Sequence, residues 1–283
     1  MRILHIASLA STRVLKQVIA QQNLPDHEVA LMCRGTGHPG LMARVTLNTG
    51  IGSETSISHW LSWADLVHAH STIADADQLQ QLNTACRRAG VPIVWDIHDW
   101  PEGCKEKQKL SQVAGVVVPS RGYCDRLSHK NTAVVYSKVP KVLMPPTTER
   151  ERLPYTALVS LVADTPIWRD YRPARDALEG KVHLFSPVSN SGLSSEWKVF
   201  EKTPYVPLLH KLTEYEWNWC DSANPLHHIH DCVTNKFWDG LAAGCKPRFE
   251  WGHAREMQAM AEDPGDLQME SELSKLEMVY NAV

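Results

Sequence analysis

Several stretches of this sequence hold side chains suited to binding or proton transfer. In Asp65-Leu66-Val67-His68-Ala69-His70-Ser71 the two histidines alternate along a strand pattern and so share one face. Val91-Pro92-Ile93-Val94-Trp95-Asp96-Ile97-His98-Asp99 is a second strand pattern that turns polar at its end, with His98 and Asp99 as its last members. Ser8-Leu9-Ala10-Ser11-Thr12 follows the first strand; hydroxyls there, Ser11 among them, can approach a ligand or cap a helix. The longest such stretch runs from His230 to Pro247. Its centre, Asn235-Lys236-Phe237-Trp238-Asp239-Gly240-Leu241-Ala242-Ala243-Gly244, predicts a short helix beginning near Thr234, with Thr234 or Asp231 as its cap, and ending at Gly244. A helix start bearing Asn235 and Lys236 suits phosphate or ribose oxygens, and the carboxylate of Asp239 accepts hydrogen bonds only. His227-His228-Ile229-His230-Asp231-Cys232 gathers metal-ligating types without a spacing such as HExxH or CxxC, so no metal is assigned.

The elements that must position these groups are strands alternating with helices. Ile3 to Ala7 reads as a buried strand, Val14 to Ala20 as a helix and His27 to Cys33 as the next strand. Residues 34–55 read as loop with a short strand at Arg44 to Leu47. Ala64 to Ser71, residues 91–99, Gly115 to Ser120 and Thr132 to Tyr136 continue the strand series, with helices expected over Asp75 to Arg88 and Arg121 to Ser128. Four prolines and the run Glu149-Arg150-Glu151-Arg152 place a linker between Ser137 and Pro154. The pattern then restarts with strands at Thr156 to Val162 and Val182 to Phe185, a helix at Pro207 to Glu216, and a strand at Trp217 to Cys220. An extended segment over Pro247 to Phe249 and an amphipathic helix over Leu267 to Tyr280 close the chain. The fold class is α/β with parallel sheets, divided at residues 1–145 and 150–283. No Gly-x-Gly-x-x-Gly follows the first strand, which argues against a nicotinamide dehydrogenase.

Three of these stretches, in this order, resemble GT-B glycosyltransferases, in particular retaining family 4. They are the D-x-V-H-x-H-S strand end at 65–71, the x-P-x-V-x-x-x-H-D strand end at 91–99, and the helix at 231–247. In the family the last motif carries two glutamates with seven residues between them; Asp231 and Asp239 stand at that spacing here. The resemblance implies two Rossmann-like domains facing a cleft, acceptor-side first and donor-side second, with a final helix crossing back onto the first domain. It implies a nucleotide-sugar donor, a UDP- or GDP-sugar first among them, and no required metal. Ser11, Arg169, Asn235, Lys236 and Asp239 would hold that donor, Arg169 and Lys236 neutralising the departing diphosphate. His98, Asp99 and Asp231 would lie against the transferred sugar or the acceptor hydroxyl. Retention of configuration through front-side displacement would let the leaving phosphate deprotonate the acceptor, which makes His98 a contact residue first.

Composition bounds the partners. Residues 1–145 hold 15 Lys and Arg against 11 Asp and Glu, while the whole chain carries a net charge of -3. This mild surplus in the first half admits an anionic acceptor such as hydroxymethylated DNA, and a saccharide is equally admitted. Seven cysteines without a CxxC pair are expected as thiols in a reducing compartment. The apolar run at Ile3 to Ala7 is too short for a signal-peptide core, and no stretch approaches the ~20 apolar residues of a membrane span, so a cytoplasmic location is expected. Two competing readings share the fold: a nucleotide-sugar epimerase, and a binding protein without catalysis.

Overall fold

Ile3, Leu4, Ile6 and Ala7 are buried in β1 (Arg2–Ala7), an interior member of a run of parallel strands. The computed structural model describes residues 1–50, 54–70, 76–98, 110–127, 129–147, 151–159, 182–185, 197–200, 203–221, 232–249 and 255–283. Around β1 lie β2 (Glu28–Cys33), β3 (Asn48–Gly50), β4 (Leu66–His70), β5 (Ile93–Asp96), β6 (Gly115–Val118) and β7 (Thr132–Val134). They form a seven-stranded sheet in the order β3-β2-β1-β4-β5-β6-β7, parallel at every pairing. The switch of direction on either side of β1 is where an open α/β sheet leaves a crevice at the carboxyl ends of its strands. The apolar runs Leu66-Val67, Ile93-Val94 and Val116 to Val118 in β4 to β6 follow from burial on both faces.

A second sheet holds β8 (Leu153–Val159), β9 (Val182–Phe185), β10 (Lys198–Phe200), β11 (Tyr215–Trp219) and β12 (Lys246–Arg248), in the order β10-β9-β8-β11-β12 and again parallel. The described helices are α1 (Thr12–Gln21), α2 (Pro39–Met42), α3 (Glu54–Trp63), α4 (Ala76–Ala89), α5 (Arg121–Cys124), α6 (Tyr205–Leu212), α7 (Asn235–Ala242), α8 (Arg255–Glu262) and α9 (Glu270–Asn281). Three local expectations shift, one being the helix expected over Pro207 to Glu216, which runs as α6 and gives way at Tyr215 to β11. The strand expected at Arg44 to Leu47 forms later, as β3, because Leu31 and Met32 of β2 pair with Asn48 and Thr49. The helix expected from Arg121 to Ser128 ends at Cys124.

The chain forms two compact units, Met1–Val142 with Met269–Val283, and Leu143–Gln268. This differs from a simple cut into 1–145 and 150–283, because the tail belongs to the first unit. The reason is its apolar stripe. Leu273, Leu276, Val279 and Tyr280 of α9 are buried against Ile3, Leu66, Val94 and Val117 of the seven-stranded sheet. Asn131 ties the helix down by donating from Nδ2 to the carbonyls of Ala114, at 3.1 Å, and Val279, at 3.0 Å. The buried carboxylate of Glu272 accepts from the backbone N–H of Tyr136 at 3.0 Å and pairs with Lys138 at 2.9 Å. With each fully buried aliphatic or aromatic side chain worth roughly 1.5–3 kcal/mol, this docking is integral to the first unit.

Candidate active site

His5 of β1, His68 and His70 of β4, and Asp96 of β5 share one face of the seven-stranded sheet, and all four are wholly buried. Register sets them side by side: His5 pairs with His68, and His70 with Asp96. The three imidazoles stack, with ring centroids 4.7 Å apart for His5 and His68 and 4.6 Å for His68 and His70. Helix α1 covers this face with Arg13, Gln17 and Gln21, which recur every four residues and so project on one side. Arg13 donates from Nε and Nη2 to Asp96 at 2.9–3.1 Å, and Gln17 Nε2 donates to Asp96 Oδ2 at 2.7 Å. Arg13 Nη1 also reaches the carbonyl of Val135 at 2.8 Å.

From this buried base the network runs outward. His5 Nε2 meets Gln21 Oε1 at 3.0 Å, and His5 Nδ1 meets His70 Nε2 at 2.9 Å. His70 Nδ1 meets His98 Nε2 at 3.0 Å, and His98 Nδ1 lies 3.5 Å from Ser11 Oγ. On the other side His68 Nδ1 meets the hydroxyl of Tyr280 at 2.6 Å, which also accepts from Gln21 Nε2 at 3.2 Å. His98 follows the carboxyl end of β5, and Ser11 opens α1, where its hydroxyl also accepts from the N–H of Val14. Both are only partly buried, so the wire leads from the core to the rim of the sheet.

Electrostatics divide the cluster sharply. Burial pushes the imidazoles down, His5 to about 3, His68 to about 4 and His70 to about 3, so all three are neutral at pH 7. For Asp96, burial raises the carboxyl, but Arg13 and the facing imidazoles outweigh it and hold it well below the usual carboxylate range. His5, His68 and His70, and likewise His70, Asp96 and His98, are sets with metal-ligand chemistry. The second set already holds Arg13 as its cation, and a divalent ion there would stand beside a buried guanidinium. The arrangement is a hydrogen-bonded network that ends in an imidazole at the carboxyl edge of the sheet.

The residues expected for the donor lie in the other unit, on α7. Thr234 precedes that helix in an extended conformation but makes no side-chain cap; its hydroxyl instead donates to the carbonyl of Cys220 at 3.1 Å. Asn235 and Lys236 occupy the first turn and are half-buried. Lys236 Nζ donates to the carbonyl of Asp221, and enclosure by the chain lowers its ammonium to about 8 despite Cys220 and Asp221 nearby. Asp239 is buried and accepts from the hydroxyl of Tyr205 at 2.7 Å. Burial and that carboxylate push the Tyr205 phenol well up. Gly240 lets α7 sit directly on β11, since a Cβ there would come within 2.4 Å of Asn218 Nδ2. Gly244, with φ of 75°, turns the chain out of the helix toward β12.

Two parallel α/β sheets, each with its candidate residues at strand ends or a helix start, define the architecture, and comparison with solved structures agrees. No protein-family model and no curated protein matches this sequence. An α-glucosyltransferase solved with UDP-glucose and DNA containing an abasic site superposes with a TM-score of 0.57 at 9% identity, covering 99% of this chain and 95% of that one. The chain has the GT-B fold. A second GT-B relative in structure is the lipopolysaccharide outer core galactosyltransferase WaaB, with a TM-score of 0.54 at 13% identity over 100% of this chain and 98% of that one. A third is a protein from Listeria monocytogenes assigned as a UDP-N-acetylglucosamine 2-epimerase, at 0.50 and 9% identity, covering 100% of this chain and 91% of that one.

Of the expected site residues in this GT-B chain, Ser11 and His98 come together in the first unit, and Asn235, Lys236 and Asp239 share one helix in the second. Asp99, Arg169 and Asp231 lie outside the described residues. Sequence reasoning missed Asp96, Arg13, Gln17, Gln21, His5 and Tyr280. A lone carboxylate between Trp95 and Ile97 in an apolar strand was the available signal for Asp96, since an unpaired buried charge is rarely tolerated. Among the described residues no helix is long and apolar enough to cross a membrane.

Proposed function

We propose that this protein is a glycosyltransferase that moves a sugar from a nucleotide-sugar donor to a hydroxyl acceptor. The observation that carries the reading is the GT-B fold over the whole chain, together with a hydrogen-bonded imidazole, His98, at the carboxyl edge of the first sheet. The unit Met1–Val142 with its returning helix is taken as the acceptor side, and Leu143–Gln268 as the donor side. Asn235, Lys236 and Asp239 are assigned to the donor, Lys236 facing the diphosphate and Asp239 the ribose once Tyr205 yields or shares its bond. Arg169 is assigned to the diphosphate, and Asp99 and Asp231 to the sugar. His98, beside Ser11, contacts a hydroxyl of the sugar or acceptor.

Transfer is proposed to retain configuration and to proceed without a metal, positive side chains stabilising the leaving diphosphate in its place. A UDP-sugar leads the donor candidates, because the α-glucosyltransferase of the same fold was solved with UDP-glucose. That structure also held DNA, which favours testing hydroxymethylated DNA before saccharide acceptors.

The first experiment is a thermal-shift screen against UDP-, GDP-, ADP- and CMP-sugars, followed by chromatography of released nucleoside diphosphate with each acceptor. A ligand that binds the folded chain alone raises its melting temperature. Stabilisation by one nucleotide class and acceptor-dependent release of its diphosphate support the reading. Absence of any shift at millimolar donor overturns it. The epimerase reading is kept because a protein assigned that activity shares the fold. Acceptor-independent conversion of the donor into an isomer would favour that reading.

A further inference from the structure

The buried histidines form a directed chain, and its direction fixes what His98 can offer a ligand. A neutral imidazole has one N–H and one lone pair, so in a chain of imidazoles the choice at one ring dictates the next. Gln21 is the starting point. Its amide N–H donates to the hydroxyl of Tyr280, which leaves Oε1 facing His5 Nε2 at 3.0 Å, so His5 carries its proton on Nε2. His5 Nδ1 is then an acceptor for His70 Nε2–H, and His70 Nδ1 an acceptor for His98 Nε2–H. Tyr280, having accepted from Gln21, spends its own proton on His68 Nδ1, so His68 also carries Nε2–H.

The amide orientation of Gln21 is not the sole support, since amide oxygen and nitrogen can be exchanged. Asp96 decides independently. Its Oδ2 faces His98 Nε2 at 3.5 Å, His70 Nδ1 at 3.5 Å and His68 Nε2 at 3.7 Å. In the direction just derived His68 presents Nε2–H to the carboxylate, while the one proton between His98 Nε2 and His70 Nδ1 is spent within their 3.0 Å bond in either direction. Reversing every bond would have His68 donate from Nδ1 to Tyr280 and turn the lone pair of its Nε2 toward a buried anion. The carboxylate and the amide therefore favour the same direction.

We propose that Gln21 and Tyr280 are positioning residues that hold His98 as its Nε2–H tautomer, so that His98 Nδ1 is presented at the rim as a hydrogen-bond acceptor for a ligand hydroxyl. Ser11 Oγ, 3.5 Å from that nitrogen, marks where such a hydroxyl approaches. A ligand group that only accepts, a phosphate or carbonyl oxygen, is disfavoured there. The hydroxyl's identity as part of a sugar or acceptor rests on the proposed glycosyl transfer, whereas the tautomer of His98 does not.

The test is long-range proton–nitrogen correlation NMR of the full-length protein labelled with 15N-histidine at pH 8, without ligand. Rings are assigned by His5→Asn, His68→Asn, His70→Asn and His98→Asn. Expected are Nε2–H forms at His5, His68, His70 and His98. In Gln21→Met the acceptor for His5 is gone, and an Nδ1–H population should appear at His98. Gln21→Glu, which keeps an oxygen facing His5, should preserve the Nε2–H form. An Nδ1–H or doubly protonated His98 in the unsubstituted protein would overturn the proposal even if Gln21→Met does not fold. So would a His98 signal unchanged in a folded Gln21→Met. Because no donor is present, this result stands apart from whether any nucleotide sugar binds.

Discussion

His70 Nδ1 lies 3.0 Å from His98 Nε2, so an imidazole at the rim of the sheet is bonded directly to one that is wholly buried. The buried ring is in register with Asp96, which Arg13 holds from the covering helix. A side chain at a strand's carboxyl end is thus anchored to a fully buried hydrogen-bonded network of the first unit. A rim imidazole held this way is pre-oriented for contact with a ligand and does not lose rotamer freedom on binding.

This anchoring predicts the size of the effect of losing His98. As a contact residue whose partner hydroxyl is left unpaired, His98→Ala should lower kcat/KM by roughly 10- to 100-fold, corresponding to about 1–3 kcal/mol. Steady-state release of nucleoside diphosphate measures it. A fall beyond about 10⁴-fold would be too large for one contact and would assign His98 the proton transfer itself.

The neutral histidines predict how stability depends on pH. Burial, the largest influence, depresses His5 to about 3, His68 to about 4 and His70 to about 3, while the unfolded chain titrates near the ordinary value of 6.5. Below about pH 6.5 the unfolded state therefore binds more protons than the folded one. The stability these groups confer is complete above that pH and is lost as the pH falls toward 4 and 3. For three such protons the slope approaches roughly 4 kcal/mol per pH unit. Urea unfolding at pH 7, 6 and 5 reads it directly, and a flat profile across that range would contradict the buried, neutral assignment.

The Arg13 and Asp96 pair gives a third expectation. With their side chains 4% and 0% exposed, removing one charge strands the other. Asp96→Leu should destabilise the protein by about 3–5 kcal/mol, and so should Arg13→Met, whereas the two together should cost less than the sum of the single changes. Denaturant midpoints of the three variants decide this; additive losses in the double variant would show that the pair is not coupled.

Much of this was legible in the sequence, and the remainder hid for identifiable reasons. The strands were readable because β1, β4, β5 and β6 each carry an apolar run, and β4 and β5 turn polar at their carboxyl ends. His70 and His98 could be singled out from those ends. Gln17 and Gln21 could not, since polar residues spaced by four on a helix normally face water, yet every residue of α1 is buried. Tyr280 meets Gln21 across 259 positions of sequence, a contact that only the return of α9 creates. Thr234 illustrates the opposite failure. Its type and place predicted a cap, but the nearby carbonyl of Cys220 takes its hydroxyl instead.

Lys236 supplies the last prediction. Its ammonium, lowered to about 8 by burial, is partly deprotonated under mildly alkaline conditions, well below the ordinary lysine range. A donor diphosphate beside it would favour the charged form and raise that value, so donor binding should take up protons around pH 8.5. Affinity should weaken as the pH rises from 7 toward 10, by at most about tenfold per unit. Calorimetry in two buffers of different ionisation enthalpy counts the protons. Lys236→Met, which keeps the aliphatic stem, should bind the donor more weakly at pH 7 and show no uptake. Equal uptake in the variant would move the titrating group elsewhere and remove Lys236 from the proposed diphosphate site.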